Sequence, residues 1–468
     1  MRGNPEVVVI GAGFGGLGVA LSLRRAGFER FTVLERAADV GGVWRDNTYP
    51  GAACDVPSSL YSYSFSPNLS WPRRYAAQPD ILAYLRRNAD AVRDRIRFGA
   101  DVVAAAFEDG RWRVELAGGE VVEADVLVSA VGQLNRPSAP DLPGLGAFAG
   151  PVFHSARWRH DVDLRGKRVA VVGTGASAAQ FVPRIQPLAG HLTVFQRTAP
   201  HVLPKPDAAL KGRARPFTSK LARRGVWLAC EAFTWLLTAG RASRALVGGL
   251  AAAHRWVRVR DRALRSRLRP GTPVGCKRVL FSNDWYPALT AANARVVSER
   301  ITEVTAHGLR TADGREHPAD VLIWGTGFDV ADFRLPMRVT GGDGRDLAAV
   351  WGGRPRAHLG LTVPGFPNFF LVYGPNTNLG GSSIVTMIEA QCRYVVAAVR
   401  RLAETGAPVQ VRPEVADEFD SEMRSRLAGG VWSGCSSWYR ADDGSVTTNW
   451  PGSTREYLRR TARLEGVR

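Results

Sequence analysis

The stretch "VVVIGAGFGGLGVALSLRRAGFERFTVLE", residues 7–35, decides the fold. Four apolar residues in a row, with no polar alternation, read as a strand buried on both faces. Gly11, Gly13 and Gly16 follow with the G-x-G-x-x-G spacing. Gly11 permits a tight turn, Gly13 lets backbone N–H groups approach a pyrophosphate at a helix N-terminus, and Gly16 lets helix and strand pack closely. "LGVALSLRRAGF" then places apolar residues at helical spacing, and "FTVLE" reads as a second strand. That strand ends in Glu35, 24 residues after Gly11. A carboxylate there accepts hydrogen bonds from a ribose diol and repels a 2′-phosphate. A glycine fingerprint alone is a weak signal, but strand, turn, helix, strand and terminal acid in that order predict a dinucleotide fold.

The same order returns at 167–197, "KRVAVVGTGASAAQFVPRIQPLAGHLTVFQR". Gly173 and Gly175 form the turn and Ala178 takes the third glycine's place, with Thr174, Ser177 and Gln180 as further candidate contacts. Here Gln196 replaces the acid, and Arg197 and Thr198 follow. Loss of a negative charge, with a guanidinium and a hydroxyl offered instead, suits a 2′-phosphate. The first unit therefore reads as an FAD site and the second as an NADPH site. "EADVLVSAVG" (123–132) and "PADVLIWGTG" (318–327) also echo each other, so each glycine-rich start has its own closing strand.

The expected fold class is α/β, with two Rossmann-like dinucleotide-binding domains. The first spans 1–147 and is completed by 331–468; the second spans 148–330 and carries a helical insertion at about 208–270. We read that insertion as a cap whose apolar face packs on the core. Arginine clusters flanking its apolar helices leave peripheral membrane contact as the alternative.

Composition bounds the rest. At 468 residues, 45 % apolar and 22 % charged, the chain has the make-up of an ordinary globular protein of two or three domains. The net charge of +19 suggests nucleic acid, but 57 of the 62 basic residues are arginine, spread along the whole chain. A coding bias accounts for that excess as well as a partner does, and no recognition motif accompanies it, so a nucleic-acid role is set aside. The five cysteines are scattered and include no C-x-x-C pair, which argues against a disulfide framework, a zinc site and a dithiol reductase. No metal is expected. The first strand begins too early for a signal peptide, and the most apolar stretch, 225–240, is short and contains Glu231. A reducing cytoplasm is the expected compartment; nothing in the sequence specifies an oligomeric state.

Two longer patterns narrow the class. "GGVWRDNTYPGAACD" (41–55) fits [AG]-G-x-W-x-x-x-x-[FY]-P-[GM]-x-x-x-D without a mismatch. Phe148, Gly150, His154 and Trp158 fit F-x-G-x-x-x-H-x-x-x-W, although Arg159 stands where Pro or Asp usually follows. With these patterns the chain resembles the flavin-dependent Baeyer–Villiger monooxygenases, which are class B flavoprotein monooxygenases. The stretch 435–452 resembles the subgroup containing hydroxyacetophenone monooxygenases.

The resemblance implies an active-site arginine at Arg278, within "GCKRVLFSNDWY", and a contact from Lys277 to the NADPH phosphate. It also implies that Trp438 lies against the nicotinamide, that Val43, Trp44, Asp55 and Tyr61 surround the flavin, and that Val102 lies near its adenine. The implied chemistry is reduction of FAD by NADPH, addition of O2, and attack of a C4a-peroxyflavin on a hydrophobic ketone to give an ester or lactone. Arg278 would stabilise the negative charge of both oxygen species and Asp55 would orient it.

Duller readings stand beside these. Arg278 is one arginine among 57, Asp55 has the look of a turn carboxylate, and Trp44 has the look of core. His154 reads as part of a linker that couples coenzyme binding to domain movement, and Trp158 as interdomain packing. The closest rival function is a flavin monooxygenase that oxygenates sulfur or nitrogen; a flavin reductase and a dinucleotide sensor are more distant.

Overall fold

The computed structural model describes residues 4–210, 219–330, 333, 335–435, 439–441, 443–464, 466 and 467. Its first sheet is parallel and five-stranded, in the order Phe369–Leu371, Val126–Ser129, Val7–Ile10 (β1), Phe31–Glu35 (β2), Ile96–Phe98 (β3). Every residue of β1 is buried: Val7 and Val9 share a core with helix residues, and Val8 and Ile10 pack with Val102, Ala105, Trp112 and Val114 of a four-stranded sheet. Helix α1 (Phe14–Arg25) begins at Gly13 and buries Phe14, Leu17, Val19, Ala20 and Leu23. Gly11 has φ +98°, and a Cβ at Gly16 would stand 1.8 Å from the Gly11 carbonyl oxygen. These two glycines let α1 start directly on top of β1. The long helix Ile384–Thr405 packs against α1 from the other end of the chain. It stops at Gly406, whose left-handed conformation ends helices readily. The first sheet is thus assembled from two distant segments, since the strand Phe369–Leu371 pairs with Val126–Ser129.

The second sheet repeats the plan in the order Ala294–Val297, His191–Phe195, Arg168–Val172, Val321–Trp324, Val152–His154. Gly173 has φ +114°, and a Cβ there would stand 2.2 Å from the Gly325 carbonyl oxygen. Ala178 is fully buried, and a Cβ at Gly325 would touch its methyl at 3.4 Å. That contact explains why the third position of this loop is small.

Between the strands His191–Phe195 and Ala294–Val297 the chain forms the helices Lys220–Thr238, Arg241–Arg258 and Arg262–Arg267. Ser219 caps the first and Asp261 the third through their side chains. The first two make a hairpin fastened to the body by Thr234, Leu237, Val247 and Ala251. Glu231 adds a polar clamp, accepting from the backbone N–H (3.1 Å) and hydroxyl (2.5 Å) of Thr454. The expected cap packs one apolar side on the body, with Val226, Trp227, Cys230, Phe233 and Leu236 against the core clusters. Few residues of either helix are fully buried, and large apolar side chains also line the outward faces. Among the described residues no helix is long and apolar enough to cross a membrane.

The cysteines hold one surprise. Cys276 and Cys435 form a disulfide with their Cα atoms 6.1 Å apart, across 159 positions of sequence. No local spacing announces such a bridge, because the fold alone brings its halves together. Cys54, Cys230 and Cys392 are free.

Candidate active site

Asp55 ends the loop that follows the short helix Val43–Asp46, and Arg278 precedes the short strand Leu280–Phe281, which pairs with Val202–Leu203. Although 223 positions apart, they form a two-pronged ion pair. Arg278 Nε donates to Asp55 Oδ2 and Nη2 to Oδ1, both at 2.8 Å. Their side chains are 28 and 23 % exposed, so the pair sits in a cleft, neither on the surface nor sealed in the core. Burial pushes the Asp55 carboxyl up, but the adjacent Arg278 outweighs it and holds the group below the usual carboxylate value. Asp55 in turn drives Arg278 above the ordinary arginine value, so both groups stay charged at neutral pH. Among the described residues no hydrogen bond engages Arg278 Nη1, which leaves that nitrogen's two hydrogens for a substrate or coenzyme atom.

This pairing sets a pH dependence. A carboxylate depressed in the folded state contributes stability above its unfolded value, and that stability is lost as pH falls through the folded value. Asp55→Asn should therefore cost on the order of 2–3 kcal/mol at pH 7, below the cost for a sealed pair because both groups are partly solvated. The gap from the parent should narrow below about pH 4. Urea midpoints at pH 7 and pH 3 measure it, and an equal gap at both would contradict the assignment.

The first glycine loop is built to receive an anion. Gly13 begins α1 without a side-chain cap, so the first-turn N–H groups remain free for a ligand. The backbone of Gly42 crosses close by: a Cβ at Gly42 would stand 3.3 Å from Gly13 Cα. Two glycines here keep side chains out of a groove walled by main chain. Glu35 is buried and accepts from Ala12 N (2.8 Å), Ala37 N (3.0 Å) and Arg45 Nη1 (3.0 Å). Its Oε2 accepts only the Ala12 bond and keeps acceptor capacity for a ribose hydroxyl. Trp44 Nε1 donates to the Tyr61 hydroxyl at 3.1 Å, and the Tyr61 ring meets Phe14 edge-on. Val43 opens the short helix that carries Trp44. Val102 is core, packed in one cluster with Val8, Ile10 and Leu34; its near neighbour Ala100 donates to the Glu35 carbonyl. These features fit FAD.

The second loop fits NADPH. Gly175 starts the helix Ala176–Ile185 with no side-chain cap, and a Cβ on it would meet open space. Thr174 Oγ1 donates to the Thr198 carbonyl at 3.0 Å, and Lys277 Nζ donates to Thr198 Oγ1 at 2.6 Å. Burial lowers the Lys277 ammonium, and the charge of nearby Arg197 lowers it further. Two neighbouring cations with no carboxylate between them are set for a phosphate. Gln196 is buried and donates to Ser298 Oγ and the Arg267 carbonyl, so no acid stands at this strand end. Ser177 lies beside the Tyr49 hydroxyl. Gln180 is occupied: its amide bonds the Tyr49 hydroxyl and both backbone groups of Ala53, which makes it a strut between the two units. Trp438 lies outside the described residues. Lys277→Ala should raise the KM for NADPH on the order of ten- to a hundred-fold and leave NADH use unchanged; steady-state kinetics with both coenzymes tests this.

The 148–158 pattern turns out to be scaffold around the edge strand Val152–His154. Phe148 is buried with Val304, Leu322 and Trp324. A Cβ at Gly150 would stand 2.1 Å from the Asp320 carbonyl oxygen, so only glycine fits. His154 Nδ1 accepts from Ala156 N at 3.0 Å, its ring meets Phe328 edge-on, and burial holds it toward the neutral form. Trp158 packs on Phe153 and Phe181, both of the second unit, while Tyr49 of the first unit packs on Phe181 as well. Arg159, the departure from the pattern, is exposed and pairs with Asp161.

Three residues near the ion pair escaped the sequence reading. Lys205 donates to the Cys54 carbonyl at 3.3 Å, lies over the Tyr75 ring, and adds its charge to the stabilisation of Asp55. It is one of only five lysines in the chain, a signal that could have marked it. Tyr373 and Tyr439 complete the surroundings of Arg278. Tyr373 takes φ +63° at the end of the strand Phe369–Leu371, a conformation no local motif predicts.

Two dinucleotide folds meeting at a fixed guanidinium define a two-nucleotide oxidoreductase. Residues 8–226 match the family model described as pyridine nucleotide-disulphide oxidoreductase. A Baeyer–Villiger monooxygenase of Streptomyces coelicolor is 46 % identical, over 98 % of this chain and 91 % of its own length. Oxidized steroid monooxygenase bound to NADP superposes with a TM-score of 0.88 at 32 % identity, covering 99 % of each chain. OTEMO complexed with FAD and NADP superposes with a TM-score of 0.89 at 27 % identity, covering 100 % of each. The chain belongs to the Baeyer–Villiger monooxygenase family.

Proposed function

We propose that this chain is an NADPH- and O2-dependent FAD monooxygenase that inserts one oxygen atom beside a ketone carbonyl, giving an ester or lactone. The observation that carries this reading is the Arg278–Asp55 pair, held between the two dinucleotide folds with no partner for Arg278 Nη1 among the described residues. Bound FAD, reduced by NADPH, supplies the activated dioxygen that no side chain here can generate. The protein's own part is electrostatic. Attack on a ketone turns the carbonyl oxygen into an oxyanion, and a cation fixed in a partly desolvated cleft stabilises that charge without reorganising. Arginine suits the task because it is not deprotonated, and the two-pronged contact with Asp55 sets the plane of the guanidinium.

Lys205 and Arg278 outnumber Asp55 in cationic charge, which biases the cleft toward an anion. Lys277, Arg197 and Thr198 hold the 2′-phosphate of the coenzyme, and the uncapped starts of α1 and Ala176–Ile185 hold the two pyrophosphates. Phe281, close to Arg278 in the chain, meets Phe233 with ring centroids 5.6 Å apart, and the two supply an apolar wall for a hydrophobic ketone. The proposed compartment is the cytoplasm, where NADPH is available.

The test is a panel of ketones and matched sulfides incubated with the holoenzyme, NADPH and ¹⁸O2. One labelled oxygen in an ester, at rates above those for sulfoxide, supports the reading. Sulfoxide alone would transfer the function to heteroatom oxygenation.

A further inference from the structure

The helical hairpin 220–258 carries the seven most exposed large apolar side chains among the described residues. Leu221, Leu228, Trp235, Leu246, Leu250, Trp256 and Val257 are between 53 and 82 % exposed. Their spacing is ordered. Leu221, Leu228 and Trp235 recur every seven residues on Lys220–Thr238, and Leu246, Leu250 and Val257 share one side of Arg241–Arg258. On Lys220–Thr238 that side lies opposite the strip formed by Thr234 and Leu237, and on Arg241–Arg258 it lies about a quarter turn from the strip formed by Val247 and Ala251; both strips pack on the body. The result is a two-helix apolar face turned away from the protein, larger than the scattered apolar residues any surface shows.

Charge decides what covers it. Residues 219–270 hold twelve lysines and arginines against two acids. Both acids are engaged, Glu231 with Thr454 and Asp261 as a helix cap. None of the twelve cations forms an ion pair among the described residues, although arginines elsewhere in the chain pair widely. Lys220, Arg224, Arg241, Arg258, Arg260 and Arg262 are exposed around the apolar face. A second copy of this chain would set these unpaired cations against their own kind. A nucleic acid would neutralise them but would leave the leucines without an apolar partner. An anionic lipid surface satisfies both, taking the apolar side chains below the headgroups and the arginines at the phosphates.

We infer that the hairpin 220–258 docks the enzyme on an anionic bilayer surface, lying in the interface without crossing it. The hairpin also borders the site: Arg223 donates to the Ser59 carbonyl, and Phe233 meets Phe281. Docking through its outer face leaves those inner contacts undisturbed.

The test uses the holoenzyme and sedimentation with phosphatidylglycerol or phosphatidylcholine vesicles, and its readout is independent of ketone oxidation. We expect co-sedimentation with phosphatidylglycerol, at least ten-fold weaker binding to phosphatidylcholine, and release at high salt. A variant carrying L228S, W235S, L250S and W256S, with unchanged FAD content, should bind phosphatidylglycerol at least ten-fold more weakly. Brominated phosphatidylglycerol should quench the parent's tryptophan emission more than that of W235F/W256F. Parent enzyme left in the supernatant, or a four-site variant that binds as the parent does, overturns the proposal. So does a parent dimer that the same substitutions dissociate, or tight binding of a duplex oligonucleotide with none to vesicles.

Discussion

Arg278→Ala is expected to leave a folded yellow protein that consumes NADPH and O2 and forms no detectable ester. Losing one fixed donor to a developing oxyanion costs on the order of 10²–10³ in kcat. The alanine variant loses more than a donor, because Asp55 is left in a cleft with its partner gone. Its carboxyl then rises toward protonation, since burial is the largest influence on it and Arg278 the largest opposing one. Arg278→Lys should recover little: an ammonium cannot make the two parallel 2.8 Å contacts, so the cation is no longer oriented. Product analysis by gas chromatography, beside peroxide and NADPH assays, reads the outcome. Ester formation at the parental rate in Arg278→Ala would remove the central assignment.

Gly173→Ala should separate the two nucleotide sites. The residue has φ +114°, where an L side chain costs about 1–2 kcal/mol, and its Cβ would fall 2.2 Å from the Gly325 carbonyl oxygen. Backbone cannot yield as a side-chain end can, so the turn must shift and carry the start of Ala176–Ile185 with it. The first unit has its own turn at Gly11 and takes no part in this contact. The purified variant should therefore keep its FAD and its reduction by dithionite. Its reduction by NADPH, followed anaerobically in a stopped-flow instrument, should slow by about a hundred-fold, the penalty of misplacing a positioned reactant by an ångström or so. Gly16→Ala, with its 1.8 Å clash against Gly11, should instead lose FAD. Normal NADPH reduction in Gly173→Ala would mean that the second loop is not the coenzyme site.

Much of this was legible in the chain. The residues of 7–35 announce strand, glycine turn, helix and strand because each of those choices is local: apolar runs, a positive φ, a helical spacing. The second copy at 167–197 is legible for the same reason, and so is the exchange of Glu35 for Gln196. Legibility faded where one residue type serves two purposes. Gln180 stands at a loop position expected to face a coenzyme, yet its amide is spent on Tyr49 and Ala53 across the unit boundary. The outward apolar residues of 220–258 were not separable from those facing the core, because helical periodicity says which residues share a side and not which side is covered.

By itself, then, the sequence determined the two dinucleotide units, their order, their preference for a diol or a phosphate, and, through the 41–55 pattern and its relatives, the family. Only the tertiary structure decided what meets across them: the Asp55–Arg278 pair over 223 positions, the Cys276–Cys435 bridge over 159, Lys205 beside the pair, and the outward turn of the hairpin. The difference is physical. Backbone conformation and amphipathic spacing are set by neighbours a few residues away, whereas ion pairs, bridges and uncovered faces depend on where two packed sheets bring distant loops to rest.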